Sequence, residues 1–205
     1  MQRISSKKDY LNFLAADRIA LGRKRAKPKI FGDEIWKFQR AMRKLEYLKN
    51  CRRDPIGKLL LPFAAYRFHQ LSLKCGFTIA CNTFGPGLAI VHRGTIVVNS
   101  KTKIGAWCRI HACVNIGAAG GESDAVPEIG NRVYIGPGAK IFGRITIADG
   151  VAIGANAVVN RSIELPDVTI AGVPAKIINH EGSKALIKVV GSVGVERNDQ
   201  QLANS

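Results

Sequence analysis

The chain has 205 residues, 46% of them hydrophobic, and carries 31 Lys and Arg against 15 Asp and Glu for a formal net charge of +16. This composition is that of a soluble chain with a sizeable core, and no apolar run approaches the roughly 20 residues that a membrane-spanning helix needs. The five cysteines (Cys51, Cys75, Cys81, Cys108, Cys113) are odd in number and form no CxxC pair, which excludes a disulfide framework and a zinc knuckle and leaves reduced packing residues.

The stretch Tyr10 to Leu21 is interrupted by Asn12, Asp17 and Arg18, so it does not read as a signal peptide and the chain reads as cytoplasmic. It reads instead as a first helix, capped by Ser5 or Ser6 and ended by Gly22. A basic loop with Pro28 follows over residues 23–29. A second helix is predicted from Asp33 to Asn50, because Ile35, Phe38, Met42, Leu45 and Leu48 recur at steps of three and four. A third runs from Asp54–Pro55 to about Lys74, with Pro62 as a kink position and Gly76 as its stop. Residues 1–74 hold 19 Lys and Arg against 6 Asp and Glu; residues 75–205 hold 12 against 9. The basic character therefore belongs to the helical segment, and it suits a membrane surface or a phosphate-bearing carrier. No nucleic-acid module is recognisable there.

From residue 80 the period becomes six. Counting by six from Ala80 gives Pro86, His92, Val98, Ile104, Ile110 and Ile116; after a step of thirteen come Ile129, Ile135, Ile141, Ile147, Ile153, Val159 and Leu165. Small residues follow many of these positions. A fixed repeat over so many units predicts a solenoid. Each hexad is a short strand plus a corner, three hexads make one turn, and the aliphatics stack inside a triangular prism about 4.8 Å per turn. The thirteen-residue step contains Gly117 to Pro127, a glycine-rich loop thrown out of the coil. Residues 1–76 are thus read as the helical segment, 77–180 as the solenoid and 181–205 as a polar tail, poorly ordered from about Gly191.

On this register His92 takes a ladder position otherwise given mainly to aliphatics, which marks it as a candidate general base. His111 is placed one coil plus one residue further on, over Arg93, as a candidate second group in an acceptor site with Asn99 and Asn115. His92 and His111 fall short of the three ligands that a metal site needs, so no metal is expected.

The hexads, the loop and the closing Ala171-Gly172-Val173-Pro174-Ala175-Lys176 resemble the left-handed β-helix acyltransferases, with the serine acetyltransferase branch as the nearest match. Within it, Asn82-Thr83-Phe84-Gly85-Pro86-Gly87-Leu88, His92 and Gly94-Thr95-Ile96-Val97-Val98-Asn99 resemble short members associated with surface polysaccharides. The resemblance implies a mainly β fold, a left-handed parallel β-helix preceded by a small helical segment. It also implies a homotrimer with active sites between subunits, acetyl-CoA as co-substrate and His92 as the catalytic base. By the same resemblance Gly117 and Ala118 offer backbone donors to an oxyanion, Pro137 and Ala155 line the pantetheine arm, and Lys176 suits the CoA phosphates.

The chain departs from serine acetyltransferases in two places where they carry an Asp, since Val91 precedes His92 and Thr78 lies about one coil earlier, and in the loop, where Ala125 and Val126 stand before Pro127 in place of an Arg-His pair. An ammonium and a carboxylate would find few partners there. The sequence therefore points to O-acetylation of a saccharide hydroxyl by a cytoplasmic enzyme, peripheral at the inner membrane surface. Serine O-acetylation and a non-catalytic trimeric scaffold are the alternatives.

Overall fold

The computed structural model describes residues 2–187. The predicted disorder from Gly191 onward lies outside the described residues. Three helices open the chain: α1 (Lys7–Ala20), α2 (Glu34–Cys51) and α3 (Pro55–Cys75). Ser6 caps α1 by accepting a hydrogen bond from the Asp9 amide at 3.0 Å, and Gly22 turns the chain away at φ 64°. Asp33 precedes α2 in a left-handed conformation, and its carboxylate accepts from Arg25 (2.7 Å) and the Lys29 amide (2.9 Å) instead of capping the helix. Asp54 caps α3 through the Gly57 amide (3.1 Å), Gly76 ends it, and Pro62 lies within one continuous helix. The predicted stripe of α2 is buried at Phe38, Met42, Leu45 and Leu48, while α3 leaves Ile56, Leu59, Phe63, Tyr66 and Leu73 exposed.

Short strands follow. They are β1 (Phe77–Ile79), β2 (Ala89–Ile90), β3 (Ile96–Val98), β4 (Lys103–Ile104), β5 (Arg109–Ile110), β6 (Asn115–Gly117) and β7 (Glu128–Ile129). Next come β8 (Tyr134–Ile135), β9 (Lys140–Phe142), β10 (Thr146–Ile147), β11 (Ala152–Ile153), β12 (Val158–Val159), β13 (Thr169–Gly172) and β14 (Ala175–Asn179). They form three sheets, one per prism face: β1-β3-β6-β9-β12, β4-β7-β10, and β2-β5-β8-β11-β13-β14, here called the first, second and third. All pairings are parallel except β13 with β14, so the chain is a left-handed parallel β-helix behind a small helical segment, as the hexads and the resemblance imply.

Inside, side chains stack in three columns. Ile79, Val98, Ile116, Ile141 and Val159 rise in the first sheet; Ile90, Ile110, Ile135, Ile153 and Ile170 rise in the third. Phe84, Ile104, Ile129, Ile147 and Ile163 form the remaining column. Burying each such side chain is worth about 1.5–3 kcal/mol. Ile104 and Ile129 are in register, so Ile116 to Ile129 is a single step between faces and the loop absorbs about seven residues beyond a regular hexad.

Two ends of the count by six are corrected. In the first coil the inward residues are Ile79, Phe84 and Ile90, not Ala80, Pro86 and His92. Their steps are five, six and eight residues before Val98, because the corner at 91–95 holds more chain than the others. In the last coil Ile163 takes the inward place and Leu165 is half-exposed. The five cysteines are free, and burial pushes the Cys108 thiol up to about 12. Among the described residues no helix is long and apolar enough to cross a membrane.

Candidate functional site

His92 is exposed, two residues beyond the inward Ile90, at the corner between the third sheet and the first. It is therefore a corner residue and not a ladder residue. His111 follows Ile110, and the Val91 amide donates to the Ile110 carbonyl at 3.1 Å, so His111 stacks beside Val91 and not over Arg93. The eight-residue step explains this shift as well. The two imidazoles nevertheless meet, with ring centroids 6.0 Å apart. His111 also packs on Tyr134, centroids 5.1 Å apart.

His111 is half-buried, and its Nε2 is enclosed without a hydrogen-bond partner among the described residues. Burial, then the positive charge of Arg109 and the neighbouring His92, holds its pKa below the ordinary histidine value. His111 is thus a neutral imidazole with an unspent polar atom beside the exposed one. Tyr134 and Arg109 went unmarked in the sequence. They pair with each other on the third sheet, which only the strand register reveals.

Higher on the same corner, Pro137 and Ala155 stack, with the Asn156 amide donating to the Pro137 carbonyl at 2.8 Å. The preceding Gly136 and Gly154 let successive coils touch: a Cβ on Gly136 would lie 2.7 Å from the Ile153 carbonyl oxygen. Lys176 is exposed on β14, in register with Ala171, which occupies the level of Gly154 one coil on. His92, His111, Pro137, Ala155 and Lys176 therefore run up one prism edge. A corner of small residues flanked by a cation fits a slender chain ending in phosphates.

The remaining candidates lie elsewhere. Asn99, Asn115 and Gly117 line a cavity of about 610 Å³ between α3 and the outer face of the first sheet, with His69, Ser72 and Leu73 opposite. The Asn99 side chain accepts from the Lys101 amide at 2.9 Å and so also shapes its own turn. Ala118 opens the projecting loop, which is closed by the Ala119 amide on the Ala125 carbonyl (3.1 Å) and anchored by the buried Ala125. From His111 to Gly117 is six residues, at most about 20 Å of extended strand. One prism carries the two groups on different edges and does not bring them together.

The corner with His92 is held from below by a network that sequence reasoning missed. Arg43, fully buried on α2, donates from Nε to Asp17 (2.9 Å) and from Nη1 to Glu46 (3.0 Å). It also donates to the carbonyls of Phe84 (2.9 Å) and Gly85 (2.7 Å). Asp17 accepts from the Gly87 and Leu88 amides, both at 2.9 Å, and Gln39 donates to the Leu88 carbonyl at 2.7 Å. Burial disfavours the guanidinium charge, but Asp17 and Glu46 outweigh it and hold Arg43 above its ordinary pKa. The signal in the sequence was an arginine beside an apolar stripe, which by itself reads as a solvated face.

Comparison with known proteins agrees with this geometry. Residues 127–161 match the family described as bacterial transferase hexapeptide (six repeats). A serine acetyltransferase of Synechococcus elongatus is 35% identical over 99 residues, 48% of this chain and 40% of that protein. One from Buchnera aphidicola is 38% identical over 143 residues, 67% of this chain and 51% of that protein. The chain thus spans about half, or less, of the length of these relatives. The crystal structure of serine acetyltransferase in complex with coenzyme A from Brucella abortus superposes with a TM-score of 0.63 at 28% identity, covering 86% of this chain and 70% of that one. The chain is therefore similar to serine acetyltransferases and carries a segment that matches the hexapeptide-repeat family.

Proposed function

We propose that this chain is an acetyl-CoA-dependent O-acetyltransferase with His92 as general base. The observation that carries the reading is the exposed His92 on the same prism edge as Pro137, Ala155 and Lys176, on a fold shared with a coenzyme A complex. His92 takes the proton from the acceptor hydroxyl as that oxygen attacks the thioester carbonyl, then returns it to the departing thiolate. Backbone N–H groups at Gly117 and Ala118 stabilise the oxyanion, Pro137 and Ala155 line the pantetheine, and Lys176 faces the phosphates. Because Gly117 and Ala118 sit on a different edge from His92, the complete site is formed between two copies, in a homotrimer.

L-serine is the acceptor that the relatives favour, and the saccharide reading gives way to it as the first assignment. A neutral hydroxyl acceptor remains the second reading on one observation. Val91 and Thr78 stand where serine acetyltransferases carry acidic groups, and the charges acting on His111 are Arg109 and His92. Thiol release from acetyl-CoA, with serine and with a panel of neutral sugars, decides. Serine-dependent release supports the first reading, and sugar-dependent release without a serine response supports the second. No release with any acceptor leaves the non-catalytic scaffold.

A further inference from the structure

On the face of α2 turned away from the solenoid, Lys37, Arg40 and Lys44 recur at steps of three and four. With Arg67 of α3, Tyr10 of α1 and Pro28 of the basic loop, they line a cavity of about 180 Å³. No carboxylate lines it, and among the described residues no ion pair includes any of the four cations. Glu34, the acid that acts on Lys37, is paired with Lys74 at 3.3 Å.

Lys37 donates to the Ile30 carbonyl at 2.5 Å, and Lys44 lies 5.9 Å from the Tyr47 ring centre. Among the described residues the Arg40 and Arg67 guanidinium groups make no such hydrogen bond or ring contact. Lys37, Arg40 and Lys44 are half-buried, so their mutual repulsion is less screened than on an open surface. Like charges so spaced on a helix oppose folding. A bound anion removes that opposition.

We propose that this cavity binds a phosphoryl group, as pyrophosphate or as the headgroup of an anionic lipid. At about 30 Å³ per water, 180 Å³ is the space of about six waters. That admits one or two phosphoryl groups and is too small for a whole nucleotide or sugar ligand. Two guanidinium groups supply the planar forks that match phosphate oxygens, and the ammonium groups supply point charge. Burial keeps the Tyr10 phenol above its ordinary pKa, so at neutral pH it remains a hydroxyl donor in the wall. Lys24, Lys27 and Lys29, exposed on the loop that supplies Pro28, draw an anion toward the entrance. Gln39, Arg43 and Glu46 use the other side of α2 to grip the solenoid, so the cavity is separate from the His92 corner and does not depend on the acetyl-transfer reading.

The test titrates the full chain with inorganic pyrophosphate by calorimetry at low salt, and sediments it with phosphatidylglycerol or phosphatidylcholine vesicles. The variants are Arg40→Gln/Arg67→Gln in the cavity and Lys7→Gln/Lys8→Gln, an equal charge loss on exposed α1. The cavity pair is expected to weaken binding about tenfold or more, and the α1 pair less than about twofold. Circular dichroism checks that both remain folded, with Arg67→Gln alone as the substitute should the pair unfold. Saturable pyrophosphate binding identifies a soluble phosphoryl ligand; retention on phosphatidylglycerol alone identifies the lipid headgroup. Binding of neither probe, or equal loss in both variants, overturns the proposal.

Discussion

Arg43 and Asp17 lie 26 residues apart on different helices, yet they are joined by two hydrogen bonds of 2.9 and 3.3 Å with both side chains shut off from water. The pair does more than tie α1 to α2. Both partners also bond the backbone of residues 84–88, which ends four positions before the candidate base.

Arg43→Met is accordingly expected to lower stability by about 3–5 kcal/mol, the cost of leaving buried charges uncompensated. Asp17 and Glu46 would both lose their cation, and two carbonyls would lose their donor. Urea unfolding of the variant against the parent measures this. A loss under about 1 kcal/mol would show that water or rearrangement replaces the guanidinium.

His92→Asn is expected to keep the fold and lose about 10²–10⁴-fold in turnover. His92 is exposed and outside the inner columns, so its removal leaves no core cavity. Near-parental thiol release by a folded variant would withdraw the base assignment.

His111 makes stability depend on pH. Its folded pKa is depressed, so below the unfolded value near 6.5 the unfolded chain binds the proton first. Stability therefore rises with pH across this window and falls as pH drops through it toward the folded pKa. His111→Gln lacks this penalty. Its denaturation midpoint is expected to gain on the parent's between pH 8 and pH 5. An unchanged difference would mean that His111 takes up its proton freely in the folded protein.

Gly136 and Gly120 should respond oppositely to alanine. A Cβ on Gly136 would meet the Ile153 oxygen at 2.7 Å and the Ala155 nitrogen at 2.8 Å, both backbone atoms, whereas Gly120 has open space. Gly136→Ala is expected to cost about 1–3 kcal/mol, and Gly120→Ala less than about 0.5 kcal/mol. Thermal melts of the two variants make the comparison.

The sequence disclosed the coil because each inward residue from Val98 to Val159 meets the same demand, a branched side chain between tight corners. The helices were legible for the same reason: the stripe and the capping residues are local. The first coil was not, since an eight-residue step from Ile90 to Val98 carries no marker of where the surplus sits, and a histidine in the count by six passes for a ladder residue. His92 stands out in the count by six on a register that the structure replaces, since Ile90 holds the inward place. The Arg43 network was illegible because its partners are spread from Asp17 to Leu88 and only folding brings them together. Tyr134, placed against His111 by a neighbouring coil, was hidden in the same way.

The clamp on residues 84–90 bears on why the coils of one copy do not stack end to end on those of another. Here and at the next residue the Ala89 and Val91 amides bond to the second coil, whereas the Leu88 and Ile90 amides are taken by Asp17 and Gln39. Those outward groups are what another strand would seek. At the far end of the third sheet β14 runs antiparallel and interrupts the parallel stacking. The helices and the terminal hairpin thus act as end-stops, and a chain stripped of α2 would offer a bare rung on which fibres could grow.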